Sequence, residues 1–192
     1  MTAAIAKGPT DTPLLEETIG DNLAATVARF PDHEALVVPH QGIRQTWSEF
    51  SATVDAVAKG LMGRGVAKGD RVGMWSPNYA EWVYIQYATA KVGAIQVNIN
   101  PAYRTTELEY ALKQSGCRML VTRSEYLMSA YREMVEEVRD GLPALVDVVY
   151  FDTDDWAALI AAGNSVSDAV LAERAASLDT NDAINIQYTS GT

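Results

Sequence analysis

The sequence has little of several features that would place it in a specialised class of protein. Its one cysteine, Cys117, cannot form an intrachain disulfide, and such sparing use of cysteine suits a reducing compartment. Lysine and arginine number 15 against 25 aspartates and glutamates, which argues against a nucleic-acid-binding protein. A mean hydropathy of -0.06 without a long apolar run argues against a transmembrane segment. Residues 1–13 lack the apolar stretch of a signal peptide, so we expect a cytoplasmic protein.

Length and charge distribution describe the chain more closely. At 192 residues, it is long enough for one globular domain with a substantial core. Residues 1–124 carry 12 acidic and 12 basic side chains, whereas residues 125–192 carry 13 acidic and 3 basic ones and no lysine, which gives the net charge of -10. We interpret this acidic surplus as a solvated surface. An anion-binding loop near residue 192 would have almost no cation close to it in sequence.

Hydrophobic periodicity predicts the first elements of the domain. Residues 18–30 have helical spacing, and two short β-type runs at residues 35–38 and 43–46 predict a hairpin. Thr46 and Glu49 form a capping-box pattern at the start of a helix that is expected to run to about residue 63.

Beyond residue 70, strands and helices alternate in the prediction. Asn78 and Glu81 predict the start of a helix over residues 80–92, which is apolar nearly all round and is therefore expected to be sandwiched. Thr106 and Glu109 predict the start of the next helix, which ends at residue 116. The other expected strands are 71–75, 94–98, 119–122, 146–151 and 183–188, and the other expected helices are 124–139, 154–162 and 167–176.

Such alternation predicts an α/β fold with a mainly parallel sheet flanked by helices. We expect residues 1–17 to be a flexible N-terminal tail and residues 18–192 to form the domain.

The candidate site lies at the end of the last predicted strand. Thr189, Ser190, Gly191 and Thr192 follow Tyr188, and a glycine among hydroxyl side chains lets backbone N–H groups turn towards phosphate oxygens. Open parallel sheets bind ligands at the carboxyl ends of their strands, where this loop is expected to lie. Taken alone, the pattern also fits an ordinary loop.

Other chemistry has weaker support in the sequence. No G-x-G-x-x-G follows a strand, and no G-x-S-x-G occurs. Cys117 follows a glycine between a helix and a strand, which favours a buried structural thiol over a nucleophile. His33 and His40 lack further ligands at metal-binding spacing, so we expect surface or turn positions for both. We predict no catalytic residue and no metal ligand in this chain.

Four segments together resemble the N-terminal part of the adenylate-forming (AMP-binding) ligases, specifically the fatty acyl-CoA synthetases for medium or long chains. They are residues 46–50 (T-W-S-E-F), 68–78 (K-G-D-R-V-G-M-W-S-P-N), 90–110 (from A-K-V-G-A through N-I-N-P-A-Y-R to E-L-E-Y) and 188–192 (Y-T-S-G-T). The last is similar to the start of the family's phosphate-loop signature, Y-T-S-G-T-T-G-x-P-K-G. The resemblance covers nearly the whole chain after about residue 18.

The resemblance implies a two-step ligase reaction that uses ATP, Mg2+ and coenzyme A. A fatty acid and ATP would give an acyl-adenylate, and coenzyme A would then displace AMP to form the acyl-CoA thioester. Carried over by position, only Thr189, Ser190, Gly191 and Thr192 fall in the phosphate-binding loop. Residues 46–50 and 90–104 are interpreted as structural, shaping the packing beneath the site.

The family pattern continues beyond residue 192, so the resemblance implies that this sequence is an N-terminal fragment of a longer ligase. The fragment lacks the signature lysine and all later motifs. We expect the 192-residue chain alone to be inactive, with the rest of the same protein as its partner. Three alternatives stay open: a stand-alone α/β binding or regulatory module, an unrelated nucleotide-binding α/β protein, and an aryl-CoA ligase-type member of the same superfamily.

Overall fold

A parallel sheet forms the centre of the fold in the computed structural model, which describes residues 7–9 and 11–189. The strands are β1 Glu34–Val38, β2 Ile43–Thr46, β3 Arg71–Trp75, β4 Ile95–Ile99, β5 Met119–Thr122, β6 Asp147–Tyr150 and β7 Asn185–Gln187. The five strands of the sheet lie in the order β6–β5–β3–β4–β7, and a separate antiparallel hairpin joins β1 to β2. The helices are α1 Ile19–Arg29, α2 Trp47–Gly63, α3 Ala80–Val92, α4 Thr105–Ser115, α5 Tyr131–Val138, α6 Asp154–Ala162 and α7 Asp168–Ala176. The predicted α/β fold with a parallel sheet is confirmed.

Each face of the sheet carries its own hydrophobic core, because side chains alternate between the two faces along a strand. Met74 and Val121 lie on the face covered by α1, α2, α3, α6 and α7. Val97 and Leu120 lie on the opposite face, which α4 and α5 cover. The nearly all-apolar α3 packs against α1, α2, α7 and the sheet, as its composition predicts. No helix among the described residues is both long and apolar enough to cross a lipid bilayer.

Glycines allow α2 and α6 to approach each other more closely than side chains would permit. A Cβ atom added at Gly60 would lie 2.5 Å from the Leu159 carbonyl oxygen, and one at Gly63 would lie 2.1 Å from that of Ala162. Both oxygens belong to backbone, which cannot rotate away as a flexible side chain can. The spacing of these two helices therefore depends on the two glycines.

We expect the Gly63→Ala substitution to lower the free energy of unfolding by about 2 kcal/mol, because an added methyl in a closely packed contact forces the backbones apart. Urea unfolding followed by circular dichroism measures the change. Gly20→Ala in α1 is the matched control, since its added Cβ would meet no atom closer than 3.7 Å. In that open position the same substitution is expected to stabilise by about 0.5 kcal/mol. Equal effects at the two positions would contradict the close-packing argument.

The start of α3 differs from the prediction that assigned it to Asn78. Tyr79 is the N-cap and makes no side-chain hydrogen bond to the helix end. Instead, Gln41 from the β1–β2 connection accepts a hydrogen bond from the Ala80 N–H at 2.8 Å and donates one to Glu81 at 2.9 Å. A side chain about 40 positions away in sequence therefore satisfies this helix end, which no local pattern could reveal.

The start of α4 also differs from the prediction, which placed the cap at Thr106 with Glu109. Arg104 is the N-cap, and its backbone N–H donates to the Glu107 carboxylate at 3.1 Å. The pair of residues that caps this helix is therefore Arg104 and Glu107, two positions before the predicted pair. In α2, by contrast, the predicted capping box of Thr46 and Glu49 is confirmed.

The helix predicted over residues 124–139 forms only in its second half, as α5. The N–H and hydroxyl of Ser124 both donate to the carboxylate of Asp152, at 2.7 and 2.8 Å. Tyr126 and Ser129 then form a tight antiparallel turn, in which Leu127 has a left-handed φ of 53°. Ser124 is therefore tied to a residue 28 positions away, and the chain becomes helical only from Tyr131. The last strand is also shorter than predicted, since β7 spans three residues.

Candidate functional site

A cleft of about 540 Å³ lies at the carboxyl ends of β3, β4 and β7. This is the edge of a parallel sheet at which ligands bind in open α/β folds. The described residues that line the cleft are uncharged: Ser76, Asn78, Trp82, Asn98, Ile99, Asn100, Pro101, Tyr103, Gln187, Tyr188 and Thr189. The cleft therefore offers amides, hydroxyls and aromatic rings.

The loop after β4 is fixed by two aromatic side chains beneath it. The rings of Trp75 and Tyr131 stack with their centroids 4.1 Å apart. The Trp75 indole N–H donates to the Asn100 carbonyl at 3.0 Å, and the Tyr131 hydroxyl donates to the Pro101 carbonyl at 2.9 Å. Burial raises the pKa of Tyr131, so its hydroxyl stays protonated and able to donate. The loop is therefore held against the hydrophobic core on the α4 and α5 face of the sheet.

The opposite wall of the cleft is the end of β7. The Tyr188 hydroxyl donates to the Ala111 carbonyl of α4 at 3.1 Å, and burial raises its pKa above the usual range. Thr189 follows, is exposed and lines the cleft. The other three predicted phosphate-loop residues, Ser190, Gly191 and Thr192, lie outside the described residues. The structure thus shows where this loop begins.

Two arginines lie at the same edge of the sheet but are engaged away from the cleft lining. Arg104 donates to the Ser129 hydroxyl at 2.6 Å. Arg123 forms an ion pair with Asp152 at 3.4 Å and lies 4.4 Å from the centre of the Tyr79 ring. Nor does the described part of the chain contain a group of three acidic, histidine or cysteine side chains arranged to hold a metal ion. Among the described residues the cleft lining holds no carboxylate, the side-chain group through which proteins usually bind Mg2+, so this lining does not fit a Mg2+ site.

Comparison with known proteins identifies the family. The AMP-binding enzyme family matches residues 23–192, which is most of the chain. The chain belongs to this family. The mitochondrial medium-chain acyl-CoA ligase ACSF2 of Mus musculus is 39% identical over 208 residues, covering 97% of this chain and 33% of the mouse protein. The corresponding ligase of Danio rerio is 37% identical, covering 100% of this chain and 35% of that protein. The chain thus spans about a third of the length of the curated relatives that it matches.

Solved structures of AMP-binding enzymes have the same fold. The N-terminal domain of FACL13 from Mycobacterium tuberculosis is 25% identical with a TM-score of 0.70, covering 91% of this chain and 42% of that one. The anthranilate CoA ligase AuaEII in complex with anthranoyl-AMP is 26% identical, also with a TM-score of 0.70, covering 95% of this chain and 33% of that one. Both comparisons agree with the resemblance seen in the sequence motifs.

Sequence reasoning treated residues 46–50 and 90–104 alike, as structural, but the fold separates them. Residues 46–50 include the capping box of α2 and are not among the residues that line the cleft. Asn98, Asn100 and Tyr103 instead line the cleft. The position of these polar residues directly at the end of a predicted strand was the signal that could have marked them as site residues.

Cys117 is a buried structural thiol, as predicted, and is 1% exposed. Burial raises its pKa to about 11, against the opposing effect of the Ser115 hydroxyl. The neutral thiol is favoured in the folded state, and the stability that this contributes is lost as the pH rises towards that value. His33 and His40 are exposed in the turns around β1, also as predicted.

We expect Cys117 in the folded chain to resist Ellman's reagent at about pH 8, because the reactive thiolate is scarce and the side chain is covered. The same chain in denaturing urea serves as its own control and should release one equivalent of thionitrobenzoate. Rapid reaction of the native chain, at the rate of the unfolded one, would contradict the buried position.

Proposed function

We propose that this chain is the N-terminal part of an ATP-dependent fatty acid–CoA ligase. The observation that carries the proposal is the cleft at the carboxyl ends of β3, β4 and β7, with Thr189 at its lip. The Y-T-S-G-T segment, similar to the start of the family's phosphate loop, begins at Tyr188, directly before Thr189. In the first step, a carboxylate oxygen attacks the α-phosphorus of ATP and pyrophosphate leaves. In the second, the sulfur of coenzyme A attacks the acyl carbon and AMP leaves.

The contribution of this chain would be to bind and orient the phosphates. The hydroxyl of Thr189 and the backbone N–H groups of residues 189–192 would donate hydrogen bonds to phosphate oxygens. The rigid loop over Trp75 and Tyr131 would keep the opposite wall in place, since positioning carries much of the rate of such reactions. The cations that neutralise a triphosphate, including Mg2+, would be bound by the rest of the ligase.

The acid is proposed to be a fatty acid, as in the medium-chain relatives. An aromatic acid is the second candidate, because the likeness to AuaEII, an anthranilate CoA ligase, covers 95% of this chain. We further propose that residues 18–192 form the first subdomain of the AMP-binding domain, that residues 1–17 are a flexible tail, and that the protein acts in the cytoplasm.

The isolated 192-residue chain is expected to show no acid-dependent ATP–pyrophosphate exchange, because its described cleft residues carry no charge to set against a triphosphate. Octanoate and anthranilate are the acids to compare, with the whole mouse ligase as the positive control for the assay. Clear exchange by the isolated chain would contradict this expectation. If size-exclusion chromatography then showed the inactive chain in a stable complex with another protein, the binding-module alternative would gain support.

Thr189 is expected to be a phosphate-binding residue in a complete ligase. The test uses a chimera in which this chain replaces the matching first third of the mouse enzyme. Thr189→Ala in the chimera should lower exchange by roughly tenfold to a hundredfold, since one preorganised donor is lost. Thr189→Ser keeps the hydroxyl and is the matched control. If both variants were as active as the unsubstituted chimera, Thr189 would be removed from the proposed site. The acid that the chimera prefers, octanoate or anthranilate, would distinguish the fatty from the aromatic substrate class.

A further inference from the structure

Three carboxamide side chains form a row from the interior of the sheet to the cleft. Gln96 and Asn98 lie two residues apart on β4 and therefore on the same face, and Gln187 on β7 is the register partner of Asn98. Gln96 Nε2 donates to Asn98 Oδ1 at 2.6 Å, and Asn98 Nδ2 donates to Gln187 Oε1 at 2.8 Å. These three residues are called the amide row below.

The direction of the amide row follows from its buried end. Gln96 is 1% exposed, and its Oε1 has no hydrogen-bond partner among the described residues. Reversing all three carboxamides would instead leave the buried Gln96 Nε2 with two N–H groups and no acceptor. Unpaired buried N–H groups are rarer than under-satisfied carbonyl oxygens, so the observed direction is the favoured one.

This direction determines what the row presents at the cleft. Because Gln187 Oε1 already accepts from Asn98, the group that remains is Nε2 with its N–H donors. Gln187 lines the cleft two residues before Thr189, and its Nε2 donates to none of the described residues. In a lining without charged side chains, these N–H groups are well placed donors for an anion.

We propose that Gln187 is a substrate-binding residue whose Nε2 donates to an anionic oxygen in the cleft, and that Asn98 and Gln96 are positioning residues that keep its N–H groups outward. The proposal rests on the proposed function, which brings two kinds of anionic oxygen to the cleft. One is a phosphate oxygen of ATP, and the other is the carboxylate oxygen of the acid.

The experiment uses the ¹⁵N-labelled 192-residue chain, titrated in one series with inorganic pyrophosphate and in another with octanoate, with sodium chloride matching the ionic strength. The side-chain NH2 signals of Gln187 and the backbone amide signal of Thr189 are followed by NMR. The Gln187 signals should shift saturably in one series, which identifies the source of the anion. Gln187→Met should raise the apparent Kd roughly tenfold, the effect of losing a hydrogen bond to a charged group. Gln114→Met, at an exposed glutamine of α4, should leave the Kd unchanged.

Asn98→Val separates positioning from general stability. If Asn98 only stabilises the sheet, Gln187 in the folded variant keeps its response to the anion. If Asn98 positions the carboxamide, the Gln187 shift is lost while urea unfolding still shows one cooperative transition.

The remaining outcomes distinguish the two proposals. A shift at Thr189 with none at Gln187, or an unchanged Kd for Gln187→Met, overturns the role of Gln187 and leaves the phosphate loop standing. A shift at Gln187 with none at Thr189 keeps the anion site and counts against the proposed phosphate loop. No shift of either signal with either anion overturns both.

Discussion

The pairing of β3 on both of its edges is the constraint on which the rest of the structure depends. β3 pairs with β4 on one side and β5 on the other, both in parallel, so the carboxyl ends of all three strands meet at one edge. Its last residue, Trp75, is fully buried and joins the two neighbours. Thr122 of β5 donates to the Trp75 carbonyl at 2.7 Å, and the indole donates to the loop after β4. The cleft is therefore built at the end of the central strand of the sheet, which is paired on both edges.

Several charged residues of the chain form ion pairs between segments that are far apart in sequence. Ion pairs join basic residues of the first part to acidic residues of the last part: Lys59 to Asp168, Arg64 to Asp147, Lys68 to Asp182 and Arg123 to Asp152. These four carboxylates connect separate segments of the chain, and the Asp168 side chain does so while it is 96% exposed to solvent. Such pairs each stabilise a fold by only about 0–1 kcal/mol when solvent reaches them. The pair of Arg123 and Asp152 also bears on the cleft, because the Arg123 guanidinium is bound to Asp152 and is not part of the cleft lining.

Local patterns predicted the elements well wherever the cause of the element was local. The apolar run of α3, the capping box of Thr46 and the glycines that end α3 and α4 all act over a few residues. Sequence reasoning failed where a distant side chain decides. Gln41 satisfies the start of α3, and Ser124 donates to the distant Asp152 in a segment that was predicted to be helical. The loop at Thr189 could be found because its residues are contiguous, whereas the amide row combines residues of two strands that pairing alone brings together.

The position of the candidate site depends on fewer hydrogen bonds than the position of the central strands does. β7 is an edge strand of three residues that pairs with β4 alone among the described residues. So short a ladder does little to fix the chain that follows it. Two side-chain hydrogen bonds add to it, from Tyr188 to α4 and from Asn98 to Gln187, each worth about 1 kcal/mol. Because one contacts α4 and the other β4, a shift of either element would move Thr189. The geometry of the proposed phosphate loop is therefore coupled to the same loop after β4 that forms the opposite wall of the cleft.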